Sequence, residues 1–365
     1  MTGAGSEDWF SRSYDEARGR ILQMAGQVGC SATAIAHPTQ TPEQPLALDV
    51  IRCGNEDAPL QLVLSSGLHG VESPSGSAAQ LAFLERLHRT SLPETVQVTI
   101  LHALNPWGWG HGRRMDDRNV DGNRNFLLPG EHYEGAPETY RKIDRLLNPE
   151  QSGKWPGQFF LTAAGLVLRY GYGNIKKAIA TGQYEFERGL FFGGHEPNWT
   201  TAQLQSLIPE LTRTTRRVCH LDFHTGIGEY GRGQLFVDHP LSSCTRDWMA
   251  ETYPANTLNS LPTESEPPYR ARGSFSKWFY EKSTAAETLS CCAEFGTLSS
   301  LKMLNILIRE NTAYHYDGID SARRKELRTE LEAAFCPKDP VWRRAVLEQS
   351  EQLIWRAIDR LSAWG

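Results

Sequence analysis

The chain has 365 residues, 39% hydrophobic and 22% charged, ordinary values for a globular protein and enough length for one large core or two smaller ones. A formal net charge of −5 argues against a general nucleic-acid footprint, and no apolar run approaches bilayer-spanning length, so neither nucleic acid nor membrane is an expected partner. Seven cysteines, an odd number with no Cys-x-x-Cys, predict reduced thiols in a cytoplasmic protein and no cysteine-based zinc site.

Residues 1–8 hold no basic or apolar segment, so no signal peptide is expected there. Phe10, Tyr14, Ala17, Ile21, Met24 and Val28 recur at helical spacing, which predicts a helix over 9–28 with a stop at Gly29. Residues 38–45 read as a loop and 46–51 as a strand, turned at Gly54-Asn55. The apolar run 60–64 predicts a buried strand, and a helix follows from Pro74 to about Arg89. Residues 96–104 form a further strand, and this strand–helix–strand order implies a parallel pair with a right-handed crossover.

His69 and Glu72 therefore occupy the loop at the carboxyl end of a strand, the edge where open α/β sheets bind ligands. An imidazole and a carboxylate three apart on a tight turn both reach one zinc ion. Alone, the pair more often serves as a loop donor and a helix N-terminal charge.

The next loop, 105–126, is rich in glycine, asparagine and arginine, and has no core to build. Arg113, Arg114, Arg118 and Arg124 suit an anionic ligand, because a guanidinium binds a carboxylate with two parallel hydrogen bonds. Residues 137–147, 159–170 and 175–180 are predicted helices. The whole stretch of about 127–200 reads as an insertion covering the active edge of a single catalytic domain over 1–365. A helix at 201–213 is followed by a strand at 218–223 that ends in His224, and by another at 235–237. Residues 254–268 form a proline-rich loop, a candidate flap. After a short helix at 274–282, a strand of small residues carries Glu294 near its end. Helices at 298–313, 321–335 and 340–363 complete the chain.

Three apolar strands thus end in His69 with Glu72, in His224, and in Glu294. If they are parallel, these ends share one edge. Two histidines and one carboxylate with an open position form a catalytic zinc pattern, and a further carboxylate suits the base that such a site needs. Asp222, two residues before His224, shares its face and is a candidate to orient an imidazole.

Gly67-Leu68-His69-Gly70-Val71-Glu72, Asn105-Pro106-x-Gly108, Val120-Asp121-Gly122-Asn123-Arg124-Asn125-Phe126, Asp222-Phe223-His224-Thr225-Gly226 and Ala293-Glu294-Phe295-Gly296-Thr297 together cover about 60–300. As a set they resemble the zinc carboxypeptidase superfamily, in particular its succinylglutamate desuccinylase/aspartoacylase-like branch and the DUF2817 proteins. The resemblance implies an α/β fold with a mixed, mostly parallel central sheet flanked by helices, of the zinc carboxypeptidase/phosphorylase-hydrolase type. It implies one Zn²⁺ per chain on His69, Glu72 and His224, and Glu294 as general base. It also implies that Asn123 and Arg124 hold a substrate carboxylate. Arg114, with Arg113 as the alternative, would polarise the scissile carbonyl.

Gly122 stands where the family has leucine, which predicts a looser loop. Tyr269 and Tyr280 are the candidates for the mobile tyrosine of the carboxypeptidases. The implied activity is amide hydrolysis of a small-molecule or peptide substrate with a free carboxylate. Two other readings are a non-catalytic metal-binding or interaction module of the same fold, and a serine or cysteine hydrolase using His224 and Asp222. No Gly-x-Ser-x-Gly elbow supports the latter.

Overall fold

A computed structural model of the chain describes residues 9–150, 156–259, 261 and 272–364. Its centre is a seven-stranded sheet ordered β1-β2-β4-β3-β5-β7-β6. The strands are β1 (Ser31–Ala36), β2 (Ala47–Gly54), β3 (Leu60–Ser66), β4 (Val96–His102), β5 (Arg217–Tyr230), β6 (Gly233–Phe236) and β7 (Glu287–Gly296). The four central strands, β4, β3, β5 and β7, are mutually parallel. The outer pairings, β1 with β2, β2 with β4 and β6 with β7, are antiparallel. Every residue of β3 and β4 is buried, as a sheet covered on both faces requires.

Helices α1 (Tyr14–Gln27), α2 (Ser73–Leu87), α3 (Pro106–Gly110), α4 (Glu138–Leu147), α5 (Pro156–Tyr170) and α6 (Tyr172–Thr181) belong to the first half. The second half adds α7 (Trp199–Thr212), α8 (Ser243–Thr252), α9 (Phe275–Lys282), α10 (Ser300–Tyr316), α11 (Ala322–Phe335) and α12 (Pro340–Arg360). Ile21, Phe83, Trp248 and Ile358 of α1, α2, α8 and α12 pack on one sheet face with Leu62, Leu221 and Leu289. Leu204, Ile208, Trp278 and Phe279 of α7 and α9 pack on the other with Val63 and Val218. A third cluster joins α4, α6, α10 and α11 through Ile143, Ala178, Leu307 and Phe335, beyond the carboxyl ends of the parallel strands.

One strand escapes the sequence reading, and one expectation needs correction. Strand β1 was not legible, because most of its residues are exposed and it has no buried face to impose an alternation. The thiols are not all reduced: Cys30 and Cys53 form a disulfide with a Cα–Cα distance of 4.5 Å. The antiparallel register that pairs Ser31 with Arg52 brings the two cysteines together across adjacent strands. The cytoplasmic expectation rested on reduced thiols and loses that ground. Among the described residues, no helix is long and apolar enough to cross a membrane. Most of the proline-rich loop at 254–268, and Tyr269 after it, lie outside the described residues.

Candidate metal centre

Sheet register places the site. In the parallel pair β5·β7, His224 lies directly opposite Glu294. One strand over, β3 ends at Ser66, and the chain turns through His69 into a short 3₁₀ turn, Gly70–Glu72, that leads into α2. His69, Glu72 and His224 are buried, and their ligand atoms lie within 4.8 Å of one another. His69 Nδ1 is 2.8 Å from Glu72 Oε1, and His224 Nδ1 is 3.0 Å from Glu72 Oε2.

The opposite nitrogen of each ring faces a buried carboxylate. His69 Nε2 is 2.9 Å from Asp121 Oδ1, and His224 Nε2 is 2.6 Å from Asp222 Oδ2. With the Nε2 proton assigned to the carboxylate in each pair, each Nδ1 keeps a lone pair on the Glu72 side of its ring. His69 Nδ1 is close to Glu72, yet it is not aligned for a hydrogen bond and is a buried polar atom without a partner. A convergence of two imidazole nitrogens and a carboxylate, each lone-pair bearing, fits a cation of zinc's preference, and the carboxylate behind each histidine is the support that such ligands use.

Charge shapes this cluster further. Burial alone would raise Glu72, but His69, His224 and Arg114 outweigh it and hold the carboxyl well below the usual range. Asp121 and Asp222 are likewise held low against their burial, the first by Arg114 and His69, the second by His224. Glu294 behaves in the opposite way. Burial and the Glu72 charge push it up to about 7. It faces His224 rather than His69, accepts from Ile227 N–H at 2.8 Å, and has Cys292 Sγ at 3.7 Å. A carboxyl poised near neutrality beside a metal-type cluster has the properties of a general base.

Of the predicted anion-binding residues, three line the cavity that opens on this cluster: Arg114, Asn123 and Arg124. Arg114 Nη1 donates to Glu72 Oε1 at 2.5 Å, Nη2 lies 2.9 Å from His69 Nε2, and the guanidinium stands over Phe335. Asn123 is fixed by accepting from Phe275 N–H at 3.0 Å. Arg124 is buried, with Nη1 donating to the Asn123 carbonyl at 2.7 Å.

Arg113 is not brought to the cavity. It is buried elsewhere, bonded to Glu310, Asn119 and Asn311 and stacked over Tyr314 at 3.4 Å, so of the two arginines only Arg114 faces the site. Tyr280 stacks on His239 at 4.1 Å and is not part of the lining, whereas Tyr172, which sequence reading passed over, is.

Gly122 does not loosen its loop. A Cβ there would stand 2.8 Å from Leu68 Cδ1, so Leu68 occupies the space that a side chain would need, and Asp121 Oδ1 closes the turn by accepting from Asn123 N–H at 3.0 Å. The serine-hydrolase reading also meets the geometry. Ser65 Oγ does contact Asp222 Oδ1, at 2.5 Å, and His220 Nε2, at 2.7 Å. Ser65 and His220 are, however, fully buried and absent from the cavity lining. They brace Asp222 within the sheet.

The mixed sheet flanked by helices is a carboxypeptidase-like fold. Over 97% of this chain and 99% of the other, the structure is similar to bovine thrombin-activatable fibrinolysis inhibitor, solved in complex with tick carboxypeptidase inhibitor, with a TM-score of 0.51 at 10% identity. Carboxypeptidase A from Helicoverpa armigera matches 90% of this chain and 75% of its own at 14% identity, with a TM-score of 0.48. Succinylglutamate desuccinylase from Chromobacterium violaceum matches 87% and 74% at 15% identity, with a TM-score of 0.39. No curated protein sequence matches the chain. Residues 10–349 match the family described as Protein of unknown function (DUF2817), and the chain belongs to that family.

Proposed function

We propose that this chain is a zinc-dependent hydrolase that cleaves an amide bond, peptide or N-acyl amino acid, in a substrate with a free carboxylate. The observation that carries this reading is the register pairing of His224 with Glu294. It sets a base raised to about 7 against the buried His69, Glu72 and His224 donors. His69, Glu72 and His224 would hold a zinc ion, which would supply Lewis-acid polarisation of a carbonyl and lower the pKa of a water molecule.

Glu294 takes the proton of the attacking water and delivers it to the leaving amine. Arg114 offers a guanidinium to the oxygen on which negative charge develops, a role that single donors fill at about 3–4 kcal/mol in comparable sites. Asn123 and Arg124 hold the substrate carboxylate and so fix the scissile bond relative to Glu294. Within one catalytic unit, helices α4, α5 and α6 of the 127–200 insertion line the cavity beside the site. A non-catalytic module would have no use for a carboxyl in the position of Glu294.

The test is Glu294→Gln. The variant should keep metal and substrate binding and lose turnover by orders of magnitude. Undiminished turnover in a metal-loaded variant would remove Glu294 from the mechanism.

A further inference from the structure

The cavity on the metal cluster has a large part that the proposed chemistry leaves unused. Its volume is about 310 Å³. Beyond the metal cluster, Glu294, Arg114, Asn123 and Arg124 its walls are mostly apolar, with Lys176, Thr225 and Ser300 the polar exceptions, and are built by α4, α5, α6 and α10 through Ile143, Leu147, Leu166, Ile179, Leu304 and Leu307. The apolar lining continues to the surface. Tyr172, Ile227 and Leu301 belong to it and are 57%, 65% and 48% exposed. Large apolar side chains left in water along the mouth of a cavity do not serve the core, and they mark a binding surface.

The apolar walls also adjoin the anion-binding end, because Arg124 lies 6.0 Å from the Phe191 ring, which is itself part of the lining. A carboxylate and an amide alone would leave those walls facing water.

We infer that the substrate is an amphiphile: a carboxylate close to the scissile amide, joined to an apolar group much larger than acetyl. This rests on the hydrolase reading and names the substrate class of the same site. The apolar group enters on one of two sides of the amide, as a long acyl chain or as a bulky side chain on the carboxylate-bearing residue.

Two substrate series separate these sources: N-acylglycines from acetyl to dodecanoyl, and N-acetylglycyl dipeptides ending in glycine, leucine or phenylalanine. In one of them kcat/KM should rise steeply. Along the acyl series, the rise expected from burying each methylene is about fourfold until the chamber is full. Flat or falling values in both series overturn the inference while leaving a hydrolase standing.

Binding gives a readout apart from turnover. In one of the two series, zinc-loaded Glu294→Gln protein should bind the largest member more tightly than the smallest in calorimetry, with a negative heat-capacity change. That result without any turnover in the unmodified enzyme would keep the apolar chamber and sink the hydrolase reading. Equal affinities would sink the chamber. Ala180 also lines the cavity. Ala180→Trp should lower the ratio of long-substrate to short-substrate kcat/KM at least tenfold, a ratio that a loss of folded protein does not move. An unchanged ratio contradicts the assignment.

Discussion

Asp222 and His224 stand two residues apart on β5, on the same face of the strand, and Asp222 Oδ2 holds His224 Nε2 at 2.6 Å. The other oxygen of Asp222 accepts from Ser65 Oγ at 2.5 Å, a residue directly opposite it in the β3·β5 register. Asp222 therefore sets both the tautomer and the orientation of a proposed ligand. Its removal should weaken metal binding without dismantling the sheet. Asp222→Ala should lower zinc affinity 10- to 100-fold, and Ser65→Ala should lower it less. Competition titration against a chromophoric chelator measures both, and unchanged affinity in Asp222→Ala would show that the pair is only structural.

Arg124 is expected to act on substrates through their charge. Arg124→Ala should strongly lower kcat/KM for carboxylate-bearing amides and barely change hydrolysis of a carboxylate-blocked analogue. Gly273 gives an independent test of the same position. It has φ +69, and a Cβ there would stand 2.1 Å from the Arg124 carbonyl oxygen. Gly273→Ala should therefore displace Arg124 and reproduce the charge-selective defect. Equal activity of the unmodified enzyme on free and blocked substrates would remove the carboxylate requirement.

The pH dependence follows from Glu294. A base works only when ionised, and burial with the Glu72 charge pushes this carboxyl up to about 7. A cation on the neighbouring donors offsets part of that rise. On acidification, kcat/KM should fall along a single-proton limb centred between the ordinary carboxylate range and 7. A profile flat down to pH 5 would contradict the assignment of Glu294 as base.

The Cys30–Cys53 link closes a sequence separation of 23. Its loss, by reduction or by Cys30→Ser, should lower unfolding free energy by about 2–4 kcal/mol. Thiol titration of the unfolded, unreduced chain should count the five remaining cysteines. A count of seven would restore the reading of fully reduced thiols.

Much of this architecture was legible in the sequence, because buried strands write themselves as apolar runs. Residues 60–64 and 218–223 fall within β3 and β5, and the small-residue strand that carries Glu294 is β7, so His69, His224 and Glu294 meet at one sheet edge. What remained hidden depends on pairing rather than on local pattern. Cys30 and Cys53 meet only through the β1·β2 register, and β1 has little burial to announce it. Asp121 lies in a polar loop whose residues all resemble candidates, and only the fold shows which of them turns to His69. Arg113 and Arg114 are neighbours in sequence that diverge because Glu310, nearly two hundred residues away, captures the first. The apolar chamber is assembled from helices that look, one by one, like ordinary amphipathic elements.

Metal analysis of purified protein tests the central claim most directly. The unmodified chain and Glu294→Gln should each carry one zinc ion per chain, and His224→Ala should carry none. Stoichiometric zinc retained by His224→Ala, or a zinc-free unmodified chain after exposure to the metal, would contradict the site.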